Sequence, residues 1–421
     1  MTVSVRQVCA SLVIPLQPLG GRLHRQRATD TGPAGRDATP CPGRTRPGDG
    51  AAAPSLPSDS PRADLQPPAP RNGPPEGTAR TGAVRLAAVV VTHNRRPQLM
   101  RTVARLLDEG VDHLVVVDNA STDGSRDWLA SLRDPRLLAV LNRTNAGGAG
   151  GFEIGLRTAR ERLDADWYLV TDDDARPRPG AIAAFRALLA RQGAADWQAL
   201  AAGVFYPDGA ICETNRPSRN PFWCWRSFLR TLGAGRAGFH LRDADYAAGS
   251  IARVDAASFV GLFLSRRAIE LGGYPRGGLF IYGDDVLYTL GLRRRGGRIG
   301  FAPWVGFEHD CSTFPRGGIR VHRPLWKIYY THRNALLAYR AAAGPVLFWG
   351  VLPVVLPRWL ARLRGYDRSE RAAALRLLAL AVADGLTGRQ DRAHRTILHS
   401  AGQPRARTNA PTVAPAVPAG E

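Results

Sequence analysis

The chain has little cysteine, and what it has is scattered. Cys9, Cys41, Cys212, Cys224 and Cys311 show no CxxC spacing, which argues against a zinc module or a disulfide framework and fits a reducing compartment. Acidic residues are sparse beside basic ones: 36 Asp and Glu face 57 Lys and Arg, for a formal net charge of +21. Nearly all of the excess is arginine. Such a surplus suits nucleic acid, anionic lipid or a phosphate-bearing substrate, and it also follows from a coding bias toward arginine. A nucleic-acid binder would cluster basic and aromatic residues on one face or carry a known module. Neither is found, so no nucleic-acid partner is expected. An unbroken membrane-length apolar run is missing too. "AAAGPVLFWGVLPVVLP" (341–357) is free of charge for 17 residues but holds three prolines, too short and too broken for a straight transmembrane helix. Prolines also interrupt the apolar patch at 1–19, and no secretory signal is expected there.

The chain has 421 residues, 44% of them apolar. That is enough for one large domain with an appendage, or for two domains. Fourteen of its 32 prolines fall in the first 84 residues, so residues 1–83 are expected to be a disordered Pro/Arg/Gly-rich extension. Order should begin near Val84. From there apolar β-branched runs alternate with helical patterns. "VRLAAVVVTHNR" (84–95), "VDHLVVVDNASTDGS" (111–125), "RLLAVLNRTNAGGAGG" (136–151) and "ADWYLVTDDD" (165–174) read as buried strands with polar exits, each separated from the next by a helix. This predicts an α/β fold with a doubly wound, mostly parallel sheet, Rossmann-like in its first half. Its strand ends, "THNR", "DNASTDG", "NAGGAGG" and "TDDD", should open on one crevice.

The second half is less regular. "ALAAGVFYPDGAI" (199–211) reads as a strand and turn, and "DAASFVGLFLSRRAIELGG" (255–273) as a strand followed by a helix. "GLFIYGDDVLYTLGLRRRGGRIGFAPWVGFEHD" (278–310) holds an acidic pair, a basic helix, a strand and a terminal His-Asp. The aromatic cluster "NPFWCWRSF" (220–228) serves equally as hydrophobic core or as a platform for sugar or lipid. Residues 341–400 combine the charge-free stretch with leucines and arginines at helical spacing. They suit a membrane-surface anchor or a helical cap on the core. Residues 401–421 are expected to be a disordered tail.

The triplet Asp172-Asp173-Asp174 carries most of the chemistry. Three adjacent carboxylates at a strand end repel one another unless a cation shares them. Oxygen ligands of this kind favour Mg²⁺ or Mn²⁺. Side chains alternate along an extended segment, so Asp172 and Asp174 can share one ion while Asp173 faces elsewhere. An ion held by few protein ligands leaves room for phosphate oxygens. The glycine-rich "NRTNAGGAGGF" (142–152) opens a helix and suits close approach to a phosphate or sugar, although it is no Walker loop.

Together these pieces resemble the family 2 glycosyltransferases. "VVVTHNR", "VVVDNASTDGS", "NAGGAGGF" and "DDDARPRPGAI" stand in that family's order. "LFIYGDDVLYTLGLRRRG", the later "HD" and "YYTHRNALL" resemble its bacterial galactofuranosyl- and rhamnosyltransferase branch. The resemblance covers residues 83–340. It implies a GT-A type fold over 84–340, with a nucleotide-binding half (84–175) and an acceptor half (176–340). It also implies an inverting transfer from a UDP- or dTDP-linked sugar, galactofuranose or rhamnose, to a lipid-linked or polysaccharide acceptor of the cell envelope. Under the resemblance Thr92 and Arg95 hold the nucleotide, and Asp118 and Asn119 contact its base. Asn145, Gly147 and Gly148 line the donor pocket, and Asp173 meets the donor's sugar or ribose. Asp172, Asp174 and His309 bind Mn²⁺ or Mg²⁺. Asp285 is the general base and Asp284 positions the acceptor. Read locally, "GDD" is also a helix N-terminus favoured by the macrodipole, and a lone His309 is more often structural. The basic balance fits a cytoplasmic enzyme held at the inner face of the membrane by anionic lipid. A catalytically inert scaffold of the same fold is the other reading, against which the intact acidic residues count.

Overall fold

The computed structural model describes residues 84–191, 196–310 and 321–402. The expectations for 1–83 and for the tail beyond 402 lie outside the described residues. In chain order the elements are β1 (Leu86–Thr92), α1 (Arg96–Asp108), β2 (His113–Asp118), α2 (Ser125–Ser131), β3 (Leu137–Leu141), α3 (Gly147–Arg162), β4 (Trp167–Asp172), β5 (Ala175–Pro177) and α4 (Ala181–Leu189). Then follow β6 (Ala199–Phe205), α5 (Trp225–Ala234), α6 (Asp243–Tyr246), β7 (Ala252–Val254), β8 (Leu262–Ser265), α7 (Arg266–Gly272), α8 (Asp284–Arg294) and β9 (Ile299–His309). Three helices close the described chain: α9 (Lys327–Arg362), α10 (Arg368–Thr387) and α11 (His394–Ser400).

The nine strands form one sheet in the order β3-β2-β1-β4-β8-β6-β9-β5, with β7 also on β9. The first four strands are parallel, as the alternating pattern predicts. Beyond β4 the sheet is mixed: β8 runs antiparallel between β4 and β6, whereas β6 and β9 are parallel. β1 is buried on both faces and shows why its sequence is uniformly apolar. Leu86, Ala88 and Val90 point into one core with Leu99, Val103 and Leu106 of α1. Ala87, Val89 and Val91 point into the other, with Phe152 and Leu156 of α3, the period-2 alternation of a strand sandwiched between layers.

The strand order reverses beside β1, so the carboxyl ends of β1, β2 and β4 open on a common crevice. Register sets Thr92 level with Asp118 and Val91 level with Asp172. β5, which the sequence pattern does not reveal, pairs antiparallel with β9 and places Ala175 opposite His309. That pairing delivers the end of β9 to the acidic turn.

α9, α10 and α11 share a third core, which Phe280 and Trp326 also join. Position 340, the expected boundary, lies within a helix. α9 starts at Lys327 and runs on through 340 to Gly344, where φ of 76° breaks it before Pro345. The half before the break is buried. The half after it exposes Val346, Leu347, Trp349 and Leu360.

Candidate active site

A cavity of about 660 Å³ lies at the strand ends. Twelve of the thirteen residues singled out by sequence line it: Thr92, Arg95, Asn119, Asn145, Gly147, Gly148, Asp172, Asp173, Asp174, Asp284, Asp285 and His309. Asp118 does not line it. Its carboxylate is wholly buried behind the crevice, where it pairs with Arg126 at 3.1 Å and accepts from the backbone of Ser121. It braces the turn that presents Asn119.

The acidic turn is compensated from three sides. The Thr92 hydroxyl donates to Asp173 at 2.7 Å. Arg95 is ion-paired to both Asp173 and Asp174. His309 Nε2 lies 3.1 Å from the other Asp174 oxygen. Asp174 is buried, which by itself raises a carboxyl pKa, but His309 and Arg95 outweigh burial and hold it at about 2. His309 responds in the opposite sense. Burial opposes its charge, yet the Asp174 bond and charge lift it to about 10. Burial dominates at the other two groups: Asp172 rises to about 7, helped by the charge of Asp174, and Asp173 rises to about 6.

Asp172, Asp174 and His309 offer ligand atoms that all lie within 4.8 Å of one another. Two carboxylates and an imidazole suit a divalent cation of the Mn²⁺ class. The orientation of the ring supports the same use. Asn215, which sequence reading missed, places its Oδ1 2.8 Å from His309 Nδ1. An Nδ1–H donated to that oxygen leaves Nε2 to face the carboxylates, the arrangement in which an outer partner fixes a ligating tautomer. Asn215 stands alone in a turn, and nothing in the sequence around it announces the contact.

Across the cavity, "YGDD" is both a helix start and an acidic pair. Gly283 caps α8, and Asp284 and Asp285 occupy its first turn. Burial pushes the Asp285 carboxyl up to about 6, although the Val286 amide bonds it at 2.7 Å. Burial and the neighbouring Asp285 charge drive Asp284 well above the carboxylate range. Both carboxyls are thus raised by burial, Asp284 further than Asp285, a perturbation common at groups in acid–base roles.

The loop before this pair is strained. Phe280 and Tyr282, neither of them glycine, have φ of 64° and 70°, each costing about 1–3 kcal/mol. Two residues of α9 hold it. The Asn334 amide lies 3.0, 2.8 and 2.8 Å from the carbonyls of Leu279, Ile281 and Tyr282. Arg333, fully buried, donates to the carbonyls of Gly278 and Leu279. Gly147 presses on the same loop, since a Cβ there would lie 2.1 Å from the Phe280 carbonyl oxygen. Its glycine identity follows from this contact and from its φ of 72°. Asn334→Ala is expected to destabilise the fold by about 2 kcal/mol by orphaning buried carbonyls. It should also lower turnover more than nucleotide affinity, because the loop leads directly into Asp284 and Asp285 at the start of α8. Thermal melts and a kcat-against-Kd comparison check this.

The chain is similar to several known proteins. The family described as Glycosyl transferase family 2 matches residues 87–234. The galactofuranosyltransferase GlfT1 of Mycolicibacterium smegmatis is 30% identical over 259 residues, covering 59% of this chain and 81% of that protein. GlfT1 of Mycobacterium tuberculosis is 31% identical over 259 residues, covering 59% of this chain and 79% of that protein. Among solved structures, a mannosyltransferase from Pyrobaculum calidifontis in complex with GDP-Man and Mn²⁺ is similar at 20% identity, 76% of this chain, 87% of that chain and a TM-score of 0.40.

Proposed function

Since this chain belongs to glycosyl transferase family 2, in its galactofuranosyltransferase branch, we propose that it moves galactofuranose from UDP to an envelope-glycan acceptor, with inversion and with a divalent ion. That it is a glycosyltransferase with a GT-A type α/β fold and a nucleotide-sugar donor follows from the family. Donor sugar, metal, stereochemistry and acceptor are our reading. The observation that carries it is the meeting, in one cavity, of a carboxylate–imidazole triad and a separate buried acidic pair at the start of a helix.

In this reading Asp285 accepts the proton of the attacking acceptor hydroxyl as that oxygen bonds the anomeric carbon. Asp284 remains protonated and donates a hydrogen bond that orients the incoming group. Asp172, Asp174 and His309 hold Mn²⁺ or Mg²⁺, which when bound neutralises charge on the departing diphosphate. Arg95 ties two of the three carboxylates together, and Thr92 fixes Asp173. Asn119, Asn145 and Gly148 face the nucleoside end. An inverting transfer needs the base on the face opposite the diphosphate, and the two acidic groups stand on separate elements, the β4–β5 turn and the start of α8.

The acceptor is read as lipid-linked or polysaccharide, at the cytoplasmic face of the membrane. Three features support this: the net charge of +21, the exposed Trp349 and Val346 on α9, and the exposed Trp225 and Leu229 on α5. α9 is long and apolar enough to cross a membrane by length and composition alone, yet 44% of its apolar window is buried within the protein. That burial favours a surface-lying helix over a spanning one. Co-sedimentation with anionic vesicles, lost on neutral ones and weakened by Trp349→Ser, is the expected result. Equal binding to both vesicle types would remove the lipid term.

The function itself is tested by offering UDP-galactofuranose and dTDP-rhamnose with a lipid-linked acceptor, with and without EDTA. Consumption of UDP-galactofuranose that stops with EDTA is expected. Consumption of dTDP-rhamnose alone would move the enzyme to the rhamnosyl reading, and consumption of neither would end both.

A further inference from the structure

Of the 57 basic residues in this chain one is a lysine, Lys327; the rest are arginine. Every other basic position, exposed ones such as Arg101 and Arg267 included, is arginine. The exception lines the active-site cavity. Lys327 opens α9, and its Nζ lies 5.9 Å from the Trp326 ring centroid. Among the described residues no carboxylate stands within ion-pair distance of it. Burial, and then the nearby charge of Arg95, lower its pKa, and both side chains line the same cavity.

Among the described residues, two further groups that line the cavity lack hydrogen-bond partners. Thr331, one turn along α9 and thus on the same face as Lys327, is 3% exposed, and its Oγ1 has no hydrogen-bond partner. His322 is 8% exposed with an unpartnered Nδ1, and burial keeps its ring neutral. Both line the cavity. A buried hydroxyl and ring nitrogen without partners are costly unless a ligand supplies them. An ammonium, a hydroxyl and an imidazole at a helix start match a phosphate group.

We propose that Lys327, with Thr331 and His322, forms a second phosphate-binding pole that grips the donor's diphosphate on the side away from the acidic triplet. This rests on the nucleotide-sugar reading above and adds residues to it. In the transfer the bond from the anomeric carbon to the diphosphate oxygen breaks, and its electron pair leaves on that oxygen. The acceptor oxygen bonds the carbon and its proton passes to Asp285. Lys327 acts on the first of these events by stabilising the departing charge. An ammonium is a compact point charge, whereas a planar, longer guanidinium does not deliver its charge to one oxygen in the same way.

Calorimetric titration with UDP, UMP, uridine and farnesyl diphosphate, with Mn²⁺ present, tests the assignment on wild type, Lys327→Met and Lys327→Arg. We expect Lys327→Met to weaken UDP about tenfold or more, as loss of a charged hydrogen bond does, with uridine unchanged and the melting temperature retained. Lys327→Arg should recover less than half of that loss on a logarithmic scale. Thr331→Val should weaken UDP in the same sense by a smaller factor. Unchanged UDP affinity in Lys327→Met would overturn the proposal, and so would an equal loss for uridine, full rescue by arginine, or a loss confined to farnesyl diphosphate. The last result would place the pole on a lipid diphosphate. A wild type that binds no UDP would sink this proposal and the donor reading together, whereas wild-type binding matched by Lys327→Met sinks this proposal alone.

Discussion

Asp285→Asn is expected to lower kcat by about 10³-fold while leaving UDP affinity within a factor of two. General-base catalysis is worth about 10²–10⁴-fold, and asparagine keeps the shape of the side chain while losing its basicity. The fold should not suffer. Burial raises the Asp285 pKa to about 6, above its value in an unfolded chain, so ionisation of this group opposes folding as pH rises through that interval. Removing it should leave the melting temperature at neutral pH unchanged or higher. The same shift fixes the acid limb of the wild-type profile. Activity should climb with pH as Asp285 loses its proton, with a midpoint near pH 6, and the limb should be absent from the residual activity of Asp285→Asn. A melting temperature that drops by many degrees, or a variant that retains a tenth of its turnover, would assign Asp285 to capping α8.

Asp174→Ala should be the more damaging substitution for binding. Asp174 contacts both Arg95 and His309, so its loss takes a carboxylate partner from each and removes one of the three ligand groups of the triad. Transfer should fall by about 10³-fold or more, the scale on which electrostatic stabilisation of a developing charge acts. UDP should still bind weakly through Asn119, Asn145 and the arginine, but Mn²⁺ should no longer strengthen it. The His309 ring offers a second readout. Its pKa is lifted to about 10 chiefly by Asp174, against burial, so in Asp174→Ala it should fall toward or below its ordinary value near 6.5. A histidine proton resonance followed by NMR reports that directly. An unchanged metal enhancement in this variant would show that the ion, if any, is held elsewhere.

Much of this was legible in the amino-acid sequence because strand ends in a doubly wound sheet converge by topology. Apolar runs of period two located β1 to β4, and the polar residues immediately after them could only face one crevice. The limit of that rule shows at Asp118 and Asn119: adjacent residues at a strand end point to opposite sides, and pattern alone does not say which side is the crevice. Asn119 reaches the cavity, and Asp118 braces it from behind.

What the sequence hid depends on long-range pairing. Ala175 and His309 become neighbours through the β5–β9 ladder, a register set by backbone hydrogen bonds across 134 residues of chain. Asn215 meets His309 only because a short turn after β6 folds back over the end of β9. Arg333 and Asn334 sit in "YYTHRNALL", a stretch read as supporting family resemblance, but their task became visible only once α9 was seen under the 280–283 loop. Local periodicity could not reveal that one helix runs from the cavity wall at Lys327 into the stretch expected as an appendage from 341.

Isothermal titration of UDP into the full chain, with and without Mn²⁺, bears most directly on whether the acidic turn at the end of β4 is a cation-assisted diphosphate site. The expected result is UDP affinity at least tenfold higher with the ion, with the gain lost in Asp174→Ala. UDP affinity that is indifferent to Mn²⁺ and Mg²⁺ in well-folded wild-type protein would contradict it.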